Sequence, residues 1–151
     1  MSLRERFTQE MKDAMKGGDK ARLAAIRMIQ AALKDRDIEA RGAGKEVSEE
    51  DILALLQKMV KSRQESLAMY EQAGREDLAA QERGEIAVIT TFLPAQMSDE
   101  DVKAAIAAAI AETGAASMKD MGKVVGALKA KFTGQMDFAK ASALVKAALN
   151  G

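Results

Sequence analysis

A single proline, Pro94, is the strongest constraint on what this chain can become. Proline lacks a backbone donor and clashes with the preceding turn, so it ends helices. It sits in Leu93-Pro94-Ala95-Gln96-Met97-Ser98, between two differently composed halves. Before it run long mixed-charge patterns that hold every arginine; after it come three short alanine-rich patterns whose only basic residues are lysines. With thirty alanines and few β-branched residues, the other long patterns are free to continue as helix. The expectation is an all-α chain. Residues 1–93 should form a four-helix, bundle-like domain and residues 94–151 a small three-helix tail domain.

Helix starts are written locally. Serine followed three residues later by an acid occurs at Ser2–Glu5, Ser48–Asp51, Ser98–Asp101 and Ser117–Asp120, each before an apolar-periodic run. Such pairs satisfy the orphan amides of a first helical turn. The first helix is expected from about Leu3 to Lys16, ended by Gly17-Gly18. A second, from about Asp19 to Ala40, is apolar around most of its girth through Leu23, Ile26, Met28, Ile29 and Leu33, the pattern of a central helix. Arg41 to Lys45 reads as a mobile loop.

The third helix, about Glu49 to Ala73, carries a stripe of Ile52, Leu56, Met59, Arg63, Leu67 and Tyr70, with Gly74 as its stop. The fourth, about Glu76 to Phe92, contains Ile86-Ala87-Val88-Ile89-Thr90-Thr91-Phe92, which would suit a strand by propensity. Helix is expected nevertheless, because Leu78, Glu82, Ile86, Ile89 and Leu93 keep helical spacing and no partner strand exists. Shorter helices follow at about Asp99–Thr113, Met118–Lys131 and Phe138–Leu149, with Asp137 capping the last.

Composition removes much chemistry. Without histidine the commonest general base, the Ser-His pair and nearly every zinc site are gone. Without cysteine there is no disulfide or thiol chemistry. No phosphate loop or serine–lysine elbow is present, so no catalytic residue, cofactor or metal ligand is assigned. The acids Asp35, Asp37, Glu39, Glu46, Glu49, Glu50 and Asp51 lack the glycine-centred spacing of a calcium loop and read as solvated helix ends. Charges at Arg4, Glu5, Arg6, Glu10 and Lys12 break any signal-peptide core, and the longest uncharged run, Ile86 to Ser98, is too short to span a bilayer. A cytoplasmic protein without membrane contact is expected.

Charged residues inside apolar stripes are the first candidate site. Arg63 lies in the third helix's stripe, Arg27 between Ile26 and Met28, and Glu82 and Glu85 near the stripe of the fourth helix. They read either as a pocket for a small polar ligand or, preferred here, as arginine–glutamate pairs that fix helix register.

The second candidate lies in the tail. Net charge is zero overall, but residues 117–151 carry six lysines against two aspartates. In Asp120-Met121-Gly122-Lys123-Val124-Val125-Gly126-Ala127-Leu128-Lys129-Ala130-Lys131 the glycines fall one turn apart, where they cost helix stability unless something needs close approach. That something is another helix or a nucleic-acid backbone. Lys119, Lys123, Lys129, Lys131 and Lys140 surround the surface and could meet phosphates as point charges. No aromatic residue interleaves them, so recognition of shape and backbone is expected rather than base stacking.

These residues also carry a resemblance. The segments Arg22-Leu23-Ala24-Ala25-Ile26-Arg27-Met28, Ala73-Gly74-Arg75-Glu76-Asp77-Leu78, Leu93-Pro94-Ala95-Gln96-Met97-Ser98, and Glu112-Thr113-Gly114-Ala115 through Asp120-Met121-Gly122-Lys123-Val124 resemble the YqeY-like family. That family is similar in its C-terminal domain to the tail of the B subunit of glutamyl/aspartyl-tRNA amidotransferase. The resemblance implies an all-helical two-domain fold and contact with the outer body of tRNA. It also implies a family-level association with carbon–nitrogen ligase activity using glutamine as amide donor. At one place the chain departs from the family. The glycine ending helix six, Gly134, is commonly followed there by a basic residue, whereas here Gln135-Met136-Asp137-Phe138 follow. The reading is a non-catalytic, tRNA-binding accessory module; a helical protein–protein adaptor without nucleic acid is the alternative.

Overall fold

Each of the seven patterns forms a helix in the computed structural model, which describes residues 1–150. The helices are α1 (Leu3–Gly17), α2 (Lys20–Gly42), α3 (Glu49–Gln72), α4 (Glu76–Thr90), α5 (Asp99–Thr113), α6 (Met121–Phe132) and α7 (Phe138–Asn150), and no strand occurs among the described residues. The chain divides into two compact units, Met1–Leu93 and the residues from Pro94 onward.

Three of the four serine caps form. Ser2, Ser48 and Ser98 accept from the amides of Glu5, Asp51 and Asp101, and Ser48–Asp51 is a full capping box. Ser117 does not cap. The acid of that pair turns back instead: Asp120 accepts from the Ala116 amide at 3.1 Å, and Met118–Asp120 winds as a 3-10 turn that leads into α6. The expected sixth helix therefore starts three residues late. Asp137 caps α7 as its position suggested, accepting from the Ala139 amide at 3.0 Å. The loop expected from Arg41 is shorter, since α2 continues through Gly42.

The β-branched run in α4 stays helical because Ile89 and Phe92 are buried in the core of the N-terminal unit. Thr90 donates to the Ile86 carbonyl at 2.7 Å and Thr91 to the Val88 carbonyl at 2.6 Å. Those bonds satisfy the two hydroxyls locally, and it is the core burial that outweighs strand propensity.

In the N-terminal unit α2 touches α1, α3 and α4, and α3 pairs with α4. Their shared core contains Phe7, Ile26, Ile29, Ile52, Leu56, Ile89 and Phe92, each at most 2% exposed. Burying such a side chain contributes about 1.5–3 kcal/mol. The Phe7 and Phe92 rings meet edge to face at 4.8 Å, and the Arg6 guanidinium lies 5.0 Å from the Phe92 centroid. The tail unit has its own core: Val102 and Ile106 of α5, Val124 and Leu128 of α6, and Ala141 and Val145 of α7.

Candidate nucleic-acid interface

Burial of Val124 and Leu128 fixes which way α6 faces. At 3.6 residues per turn, Gly122, Gly126 and Ala130 then form a row on the opposite, solvent side, and all three are exposed. Lys123 flanks that row on one side and Lys129 on the other, while Lys119 stands exposed in the 3-10 turn at its head. No helix of this chain packs on the two glycines. A Cβ built at Gly122 or Gly126 would meet nothing within 4 Å. The helix thus carries two helix-weakening residues that pack on nothing else in the described chain, and its backbone lies bare between cations.

Gly134 does have a local reason. Its φ of +80° closes the chain after α6, a conformation open to glycine, and its carbonyl accepts from the Gln96 side chain at 2.6 Å. The Met97 amide donates to Gln135 at 2.9 Å, and Met136 is buried. The loop that departs from the family pattern therefore binds the segment after Pro94 to the tail core.

The five lysines are not equivalent. Lys131 pairs with Glu112 at 2.8 Å and Lys140 with Asp99 at 3.0 Å, both acids lying on α5. Lys140 beside it holds the Asp99 carboxyl below the usual range. Lys123 meets Asp120 only at 3.9 Å, and that carboxyl is already committed to the Ala116 amide, which lowers its pKa most. Lys119 and Lys129 form no ion pair among the described residues. Lys129 instead sits 6.0 Å from the Phe138 centroid. Of the five lysines, Lys119, Lys123 and Lys129 stand around the bare row, while Lys131 and Lys140 are paired with acids of α5. Sequence reading missed Glu112 and Asp99 because they lie 19 and 41 residues from their partners. No local spacing reports such pairs.

The charged residues of the N-terminal unit resolve differently. Arg63 donates through Nε to Glu85 at 3.1 Å and through a terminal nitrogen to the Met59 carbonyl at 3.3 Å. The two side chains are 18% and 17% exposed, so the pair is largely withdrawn from water. Arg27 is exposed and forms no ion pair among the described residues. It falls on the solvent side of α2 because Ala25, Ile26 and Ile29 fill the inner side. Glu82 accepts nothing at its buried Oε2. Burial pushes its carboxyl up, the Glu85 charge adds to the rise, and Arg63 opposes it.

That direction sets a pH dependence. A carboxyl with a raised folded pKa disfavours the native state above that value, and the penalty fades as pH falls toward the ordinary glutamate range. Glu82→Gln is expected to stabilise the protein at about pH 7, with the advantage shrinking toward about pH 4.5. Urea unfolding of both proteins across that range checks it. Curves that keep a constant separation would contradict the assignment.

Among the described residues no cluster of three or more Asp or Glu side chains could hold a metal, and no helix is long and apolar enough to cross a membrane. The fold and its bare basic helix define an all-helical protein of two units with a lysine-bearing tail. The chain belongs to the YqeY-like protein family, whose model matches residues 4–149. It is also similar to proteins named "Altered inheritance of mitochondria protein 41, mitochondrial". One, from Vanderwaltozyma polyspora, is 28% identical over 85 residues, covering 56% of this chain and 45% of that protein. Another, from Saccharomyces cerevisiae strain YJM789, is 29% identical over 84 residues, covering 56% and 44% respectively. The matches thus span less than half of these relatives' length.

Proposed function

We propose that this protein is a non-catalytic accessory module that binds tRNA through backbone and shape contacts made by the outer side of α6. The observation that carries the reading is the row of exposed Gly122, Gly126 and Ala130 flanked by Lys119, Lys123 and Lys129. A helix side without long side chains lets a ribose–phosphate backbone come close, and lysines on both flanks supply phosphate contacts that release counterions. Family membership supports the reading through the tail's resemblance to that of the tRNA amidotransferase B subunit. The family-level carbon–nitrogen ligase association would then describe an assembly that this chain assists. A cytoplasmic setting is part of the proposal, although the yeast relatives are named as mitochondrial.

The test is fluorescence anisotropy with bulk tRNA from about 50 to about 200 mM salt. Affinity should fall steeply over that range. Binding that is absent, or indifferent to salt, overturns the reading.

The adaptor reading has one specific observation in its favour. A groove of about 360 Å³ between α5 and α7 is lined by Ile106, Ala107, Ile110, Leu144 and Ala148, with Lys103 at its edge. Partners retained after nuclease digestion of a lysate, and lost on Ile110→Glu, would favour this alternative.

A further inference from the structure

The tail spends two of its lysines on itself. Lys131 and Lys140 reach across to Glu112 and Asp99, which lie at opposite ends of α5. Their sequence neighbours on α6, Lys123 and Lys129, have no comparably close carboxylate. A phosphate oxygen and a carboxylate oxygen compete for the same ammonium donors, and an unpaired carboxylate beside a polyanion repels it. Wherever an α5 acid already holds a lysine, a phosphate must displace it and then lie against that acid.

We propose that Glu112 and Asp99 are specificity-determining residues that bound the RNA-binding surface, confining phosphate contacts to the outer side of α6 by occupying Lys131 and Lys140. The inference rests on the tRNA reading above and adds the limits of that same surface. It accounts for why Lys131 and Lys140, two of the tail's seven lysines, are withheld from RNA. Exposed ion pairs are individually weak and screened by salt, so the acids act as competitors and not as locks. Removing their charge should free both lysines without unfolding the tail, since the α5 cap is Ser98 and the tail core is apolar.

The test uses the full chain and bulk tRNA, with circular dichroism confirming helix content for each variant. Asp99→Asn/Glu112→Gln should bind about ten-fold more tightly than wild type in about 0.1 M salt, with a steeper salt dependence. Adding Lys131→Gln/Lys140→Gln to that variant should cancel the gain. A charge-matched control, Glu100→Gln/Asp101→Asn, removes two exposed α5 acids that hold no lysine among the described residues and should bind like wild type; an equal gain in that control marks a general loss of negative charge and overturns the inference. Wild-type affinity in the doubly neutralised protein, or a gain that survives loss of the two lysines, overturns the inference while leaving tRNA binding standing. No binding by any of the proteins overturns the tRNA reading and this inference together.

Discussion

Replacing Lys119, Lys123 and Lys129 together with glutamine is expected to weaken tRNA binding by about a hundred-fold in about 0.1 M salt. The magnitude follows from counterion release. Each phosphate contact contributes a slope of roughly 0.7–0.9 in log affinity against log salt, so the triple variant should flatten the dependence by about two to three units. Every tRNA in a mixed pool should lose affinity to the same degree, because lysines set on bare helix read backbone charge and not base edges. The substitutions lie on exposed positions, so helix content should stay unchanged. Anisotropy titrations at several salt concentrations measure both quantities in one experiment. A triple variant that binds with wild-type slope would move the contact elsewhere on the molecule.

Removing Arg63 should have the largest effect on stability among single charge changes. Arg63→Ala leaves Glu85 without its guanidinium, and Glu82 loses the one nearby charge that offsets its burial. Stranding a withdrawn carboxylate costs about 2–3 kcal/mol. That is a large part of the stability of a small domain, and the melting temperature should fall by several degrees. The companion variant Arg63→Leu/Glu85→Leu should recover most of the loss, because replacing both partners leaves no stranded charge between them. If the double variant is as unstable as Arg63→Ala, the pair contributes more than the avoidance of a buried charge. Chemical unfolding of the three proteins decides between the outcomes.

The all-helical fold was legible because its signals are local. Ser2, Ser48 and Ser98 cap the helices they precede, Gly18, Gly74 and Gly114 close the same three helices with positive φ, and the stripe Ile52, Leu56, Met59 points inward. The Arg63–Glu85 pair was legible because an arginine in an apolar stripe needs an acid. Arg27 misled for a related reason. It lies in an apolar neighbourhood of sequence, but helical geometry sends it outward while Ile26 goes in. Ser117 misled because its pattern matched a cap, yet Asp120 satisfies the Ala116 amide first and tightens the turn.

The candidate interface was only half legible. Sequence places the glycines and lysines on one helix, but it cannot say that nothing else in the described chain packs on the glycines. It also cannot say that Glu112 and Asp99, remote along the chain, take Lys131 and Lys140. Both facts depend on how α5, α6 and α7 pack around Val124, Leu128 and Val145, and that packing is tertiary.

The most direct measurement is to fill the bare row and read folding and binding on the same protein. Gly122→Leu/Gly126→Leu places good helix formers where a Cβ meets nothing within 4 Å. Each glycine replaced in an exposed helix should raise stability by about 0.5–1 kcal/mol. The variant should therefore melt at or above the wild-type temperature while losing at least about ten-fold in tRNA affinity, as the new side chains hold the backbone away from the helix and its lysines. A variant that gains stability and binds tRNA like the wild type would contradict close approach along this side of α6.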